Sequence, residues 1–241
     1  MIGMISLFQR QTSWQKLIKH KREYLAKEAL TEEIRSALNF SLPLGTTLIK
    51  DLSFLVFDLE TTGVNAQNDQ ILSIGWVEIN QGKIDLSSAQ HYYINHGHDV
   101  KKETAVINHI TPTMLAEGSP LNEVLSLFLA AAKNRSLIVH GKSIEHAFLA
   151  HNTKTYFSLP PLPFVWIDTL SIEVNIARKL GIMTQQSQQL HRVRERYKLP
   201  RYAAHNALID SLATAELFLA QTQKILKKEN QTIDHIYQYS Q

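Results

Sequence analysis

Residues Leu52 to Phe57 form a short apolar run rich in strand formers, and the run ends in Asp58-Leu59-Glu60. That pattern predicts a buried strand whose exit carries two acids. Side chains two apart on a strand leave the same side of the backbone, so both carboxylates can reach one cation. The sequence that follows indicates what surrounds this strand. Ile71 to Ile79 reads as a second strand, and the Gln81-Gly82 turn leads to a third through Tyr92, Tyr93 and Ile94, giving an antiparallel meander. Ser119-Pro120 then opens an amphipathic helix carrying Leu121, Val124, Leu125, Phe128 and Leu129, before the strand Leu137 to His140. A helix from Ile144 to Ala150, a strand from Phe164 to Thr169, a helix near Leu170 to Leu180 and a last helix from about Asn206 to Lys227 continue the alternation. Strands first in a meander and then in β-α alternation predict an α/β fold with a mixed sheet and helices on its faces.

The domain limits follow from where this pattern begins and ends. Residues 1–50 are read as an N-terminal helical extension: Trp14, Leu17, Ile18, Tyr24 and Leu25 recur at helical spacing among lysines, and Thr31 to Leu38 suits a second short helix. Residues 51–228 make the main domain and residues 229–241 a C-terminal tail. The absence of cysteine excludes disulfides, thiolate metal sites and cysteine nucleophiles, and fits a reducing compartment. No stretch of about 18 apolar residues is present, and Met1 to Phe8 lacks a basic leader, so a cytoplasmic protein without membrane association is expected. A net charge of +3 permits a polyanionic partner without demanding one.

Oxygen-only ligands at Asp58 and Glu60 favour Mg²⁺ or Mn²⁺ over zinc. Thr61-Thr62-Gly63 follows directly, and small residues with a glycine let backbone amides approach a sugar or phosphate. Far along the chain, His205 and Asp210 stand in Ala-His-Asn-Ala-Leu-Ile-Asp, where Ala207, Leu208 and Ile209 would anchor a helix on the sheet. A carboxylate on that buried side has to be paired or bind metal. An imidazole five positions earlier can act as a general base near neutral pH.

Together these segments resemble the DnaQ-like DEDDh 3′-5′ exonucleases of the ribonuclease H-like superfamily, which include polymerase III epsilon-type proofreading subunits and DNA- and RNA-trimming enzymes. The likeness spans roughly residues 52–222, with Phe57 to Gly63 as the first motif and His205 to Asp210 as the last. Ile138 to Leu149 fits the middle motif, with Glu145 where most members carry Asp and Gly141 where many carry Asn. The resemblance implies a ribonuclease H-like five-stranded mixed sheet. It further implies that Asp58, Glu60, Asp210 and Glu145 hold two Mg²⁺ or Mn²⁺ ions, with Glu145 acting directly or through water, and that His205 is the base. The implied reaction removes nucleoside 5′-monophosphates from the 3′ end of single-stranded DNA, with proofreading beside a DNA polymerase as one setting. An RNA-trimming enzyme and a non-catalytic polymerase-associated or nucleic-acid-binding scaffold are the alternatives.

Other segments carry weaker signals. Ile107 to Pro112, including His109, resembles the part that lies near the substrate cleft in relatives. His96-Gly97-His98 reads as surface loop histidines and His140 as a satisfied core residue. His191 to Arg201 carries Arg192, Arg194, Arg196, Lys198 and Arg201 with Tyr197 and Tyr202 nearby. Such a stretch can track a phosphate backbone through Arg192 and Arg196 and offer a ring to a base, or be a solvated helix face balanced by Glu195.

Overall fold

The computed structural model describes residues 13–27, 42–97, 110–181, 186–203, 205–225 and 232–241. The helix expected over Thr31 to Leu38 lies outside them. Five strands, β1 (Ser53–Thr61), β2 (Ile71–Asn80), β3 (Lys83–Tyr93), β4 (Ser136–Val139) and β5 (Trp166–Asp168), form one sheet in the order β3-β2-β1-β4-β5. The first three pair antiparallel, and β4 and β5 add in parallel on the far side of β1. The meander closes through a two-residue turn, with Gln81 at φ 52° and Gly82 at φ 71°, the doubly left-handed geometry that matches strand twist. β3 begins there, earlier than its aromatic end suggested.

Strand parity divides the core. Leu55, Phe57 and Leu59 face one side of the sheet, where α3 (Leu121–Ala132) lays Leu121, Val124, Leu125 and Phe128 against them and α4 (Ser143–Phe157) adds Phe148 and Leu149. Phe54 and Val56 face the other side, under α5 (Thr169–Lys179) and α7 (Ala207–Ile225), where Phe218 meets Phe54 with ring centroids 5.3 Å apart. Helices α2 (Pro112–Ala116), α6 (Leu190–Arg196) and α8 (Ile233–Tyr239) complete the described set. Asp58 and Glu60 share parity with Phe54 and Val56, so they emerge on the α7 side at the end of the central strand.

The first and last described helices dock on this body. In α1 (Ser13–Lys27), Trp14 is 2% exposed, donates its indole N–H to Pro43 O and packs edge-on against Tyr237. Tyr24 further along the same helix donates to Pro160 O, so the expected extension lies along the domain. Lys21, one of the lysines set among those apolar positions, is buried with them, and burial pulls its ammonium down to about 8. Residues 232–241, expected as tail, carry α8 with Ile233, Ile236 and Tyr237 buried, an i, i+3, i+4 apolar stripe that has to be covered. Among the described residues no helix is long and apolar enough to cross a membrane.

Candidate active site

One missing side chain brings the acids together. Asp58 pairs with Gly75 of β2, and a Cβ on Gly75 would stand 2.2 Å from Leu208 N and 2.4 Å from Ala207 C. The first turn of α7 therefore rests directly on β2, fastened by Ser211 Oγ donating to Gly75 O at 2.8 Å. That contact carries Asp210 to the end of β1, where one carboxylate oxygen from each of Asp58, Glu60 and Asp210 lies within 4.8 Å of the others. Gly75→Ala forces the helix off the strand. The expected result is a loss of about 2 kcal/mol, a melting temperature about 4–8 °C lower and weaker Mn²⁺ binding. A variant as stable as the parent would remove this account of the site's assembly.

His205 stands two residues before the same helix. Its backbone is left-handed at φ 67°, and its N–H donates to Asp210 Oδ2 at 2.9 Å, while Asn206 Oδ1 caps the turn by accepting from Ile209 N. The exposed His205 stands on the wall of a cleft of about 930 Å³ that Asp58, Glu60, Glu145 and Asp210 also line. Glu145, in the first turn of α4, stands beside Asp58 without joining the tight trio. It is 5% exposed, and its Oε2 is buried with no hydrogen-bond partner among the described residues. Gly141, the other departure from the middle motif, sits at φ 91° and donates its N–H to Asp168 Oδ1 at 2.8 Å. Glycine takes that conformation without a Cβ penalty.

The cluster is held against its own charge. Burial raises Asp58 well above the ordinary carboxylate range, and Glu145, Asp210 and Glu60 push it further. Glu60 rises to about 7 through burial and then Asp210, and Glu145 rises to about 7 through burial and then Asp168. Asp210 is raised by burial although the backbone N–H groups of His205 and Asn206 oppose the shift. Buried like charges with an orphaned carboxylate oxygen fit a hard divalent cation, and the donor set is all oxygen.

The remaining expected residues divide. Thr61, Thr62 and Gly63 line the cleft, but both hydroxyls are engaged within their own loop: Thr61 Oγ1 donates to Gly63 O at 2.6 Å and Thr62 Oγ1 to Asp69 Oδ1 at 3.2 Å. A Cβ on Gly63 would meet that Asp69 carboxylate at 2.5 Å, so the glycine first makes room for Asp69. Arg192 lies on the cleft and pairs with Glu195. Arg196 does not line the cleft, because its guanidinium is spent on Glu173, Ser187 O and Gln188 Oε1. His96 bonds Ile71 O, and His140 bonds Thr169 Oγ1 and Gln188 O, so its ring is satisfied as expected, although it is half-buried and lines the cleft instead of lying in the core. His98 and His109 lie outside the described residues.

Two residues of the site, Gly75 and Asp168, escaped sequence reasoning, and the contacts of two others, Arg194 and Tyr202, could not be read from the basic stretch that carries them. Gly75 and Arg194 act through contacts between distant segments, Arg194 donating to Ala213 O, Pro200 O and Glu216. Tyr202 is tied to Glu216 on the cleft wall. Asp168 could have been found, since an Asp-Thr pair closing a strand before an apolar helix is an N-cap signal, and its carboxylate accepts from Leu170 N.

Comparison with known proteins agrees with this geometry. A protein-family model described as Exonuclease, of the RNase T type, matches residues 55–218. The PolC-type DNA polymerase III of Thermotoga petrophila is 30% identical over 171 residues, covering 70% of this chain and 12% of the polymerase, so the chain spans about an eighth of that relative. Escherichia coli exonuclease I in complex with a dT13 oligonucleotide superposes with a TM-score of 0.59 at 15% identity, over 70% of this chain and 40% of that one. Exonuclease X in complex with 5′ overhanging duplex DNA gives 0.54 at 21%, over 77% and 99%.

Proposed function

Because the chain belongs to the RNase T exonuclease family, we propose that it is a metal-dependent 3′-5′ exonuclease that releases nucleoside 5′-monophosphates from single-stranded DNA. The observation that carries this reading is the trio Asp58, Glu60 and Asp210, gathered from two distant segments at the base of a cleft with His205 on its wall. Asp58, Glu60 and Asp210 would hold two Mg²⁺ or Mn²⁺ ions, with Glu145 reaching them from beside Asp58. Cations held there supply charge stabilisation for in-line displacement at phosphorus. His205 accepts the proton of the attacking water, and its backbone bond to Asp210 keeps base and acids in register. Glu145 is buried beside Asp58 with an oxygen left unpaired among the described residues, and its longer carboxylate would reach the cluster after a small backbone shift. As the curated relatives are polymerases, we extend the reading to proofreading, in which a DNA polymerase delivers a frayed 3′ end.

The test uses DNA and RNA oligonucleotides labelled at either end, with Mg²⁺, Mn²⁺ or EDTA. Metal-dependent shortening of 5′-labelled DNA, with mononucleotide released from the 3′ label, is expected. Products of mixed internal length, or shortening undiminished by EDTA, would sink the proposal. RNA cut faster than DNA would replace the substrate.

Two of the three arginines of α6, Arg192 and Arg196, separate in a strand-binding titration over salt. Arg192→Ala is expected to weaken single-strand binding and reduce the slope of log affinity against log salt by about 0.7. Arg196→Ala should leave that slope alone and lower the stability of the fold by about 1–2 kcal/mol, because Glu173 loses its guanidinium while only 6% exposed. Equal salt slopes for both variants would contradict the assignment.

A further inference from the structure

We propose that Tyr202 is the platform on which one unpaired base of the substrate stacks beside His205. The inference rests on the exonuclease reading and adds a base subsite to it. Of the two tyrosines near the basic stretch, Tyr197 is already committed, its hydroxyl donating to Glu173 at 2.8 Å and its ring covered by the Lys224 ammonium at 4.7 Å. Tyr202 stands three residues before His205, lines the cleft and keeps 37% of its surface exposed.

The ring is fixed in place by its neighbours. Its hydroxyl donates to Glu216 Oε1 at 2.8 Å, and the Arg194 guanidinium lies 4.8 Å from its centroid. Arg194 is itself 3% exposed and held by Ala213 O, Pro200 O and Glu216. The cation takes one face of the ring, so a base would take the other. A ring immobilised before binding loses little freedom when a base lands on it. The committed hydroxyl leaves no donor to read a base edge, so the subsite accepts any base that is unpaired. Charge at the rim agrees. Arg192 and Arg201 both pair with the single carboxylate of Glu195, and their side chains remain 56% and 84% exposed, leaving net positive charge for the adjoining phosphates. A duplex end has to fray before a base can lie on this ring, so single strands are taken in preference.

The test measures binding of short fluorescent single strands to the full chain, with Ca²⁺ in place of Mg²⁺, using intact strands and strands with one abasic nucleotide stepped back from the 3′ end. In the parent, one abasic position is expected to lower affinity roughly 5- to 100-fold. Tyr202→Ala should lose a similar factor with the intact strand and no longer distinguish that abasic strand. Tyr202→Phe, which lacks the bond to Glu216 and keeps the ring, should stay within about threefold of the parent. If Tyr202→Phe falls as far as Tyr202→Ala, or if Tyr202→Ala still penalises the same abasic position, the residue only anchors its loop and the proposal is overturned. A parent that neither binds the strand nor releases nucleotides with Mg²⁺ overturns the exonuclease reading as well, whereas a parent that does both while Tyr202→Ala equals it overturns the stacking subsite alone.

Discussion

Replacing Asp58 by Asn is expected to abolish Mg²⁺-dependent release of mononucleotides, by at least about a thousandfold, and at the same time to raise the melting temperature of the metal-free protein. Both effects come from one position. Burial raises the Asp58 carboxyl most, and the repulsion of Glu145, Asp210 and Glu60 adds to it. An amide there has nearly the same shape, removes a negative charge from the centre of the group and takes away a hard oxygen ligand. Without metal the relief should stabilise the fold near pH 8 by about 1–2 kcal/mol, the scale of a single substitution, or roughly 2–8 °C. With Mg²⁺ the order should invert, because an ion that binds only the folded parent stabilises the parent and not the variant. Calorimetry in EDTA and in Mg²⁺, beside the oligonucleotide assay, checks both halves. An active variant would remove Asp58 from the metal site, and a variant that melts below the parent in EDTA would contradict the repulsion.

The acids were legible in the sequence because their constraint is local. Asp58 and Glu60 share a face by strand parity, and the apolar residues around Asp210 announce a helix against the sheet. Glu145 was legible only by its place after β4, and its separation from the tight trio depends on the depth at which α4 packs. The basic stretch was less legible. Arg192, Arg194 and Arg196 look equivalent in the chain, yet the phase of α6 sends Arg192 to the cleft, buries Arg194 against α7 and turns Arg196 to Glu173. A seven-residue helix carries too few apolar residues to fix that phase from periodicity alone. Gly75 lay further out of reach. Within β2 it is simply a small residue in a strand, and its importance arises from Leu208, more than a hundred positions away. The C-terminal helix, by contrast, was readable in the spacing of Ile233, Ile236 and Tyr237, and its shortness made it pass for tail.

The same crowding of acids sets a pH dependence opposite to that of an ordinary salt-bridged protein. In EDTA the fold is expected to lose stability as pH rises from about 4.5 to about 7, since Glu60 and Glu145 both titrate near 7 in the folded chain against 4.5 for a free carboxyl. Below the lower value both states carry the protons and the shift has no effect. Between the two values the unfolded chain gives up protons that the folded chain retains, so each step in pH favours unfolding. Above the upper value the loss is complete, at up to about 3 kcal/mol for each carboxyl. Glu145→Gln mimics the protonated acid and should flatten the curve by about one such contribution in urea titrations across this range. Mg²⁺ should act in the opposite sense, because its ligands have to be deprotonated and its stabilisation grows over the same interval. Parallel urea curves for the parent and Glu145→Gln in EDTA would mean that the carboxyl is not held at raised affinity for its proton. A Mg²⁺ stabilisation independent of pH would mean that the ion binds elsewhere than among these acids.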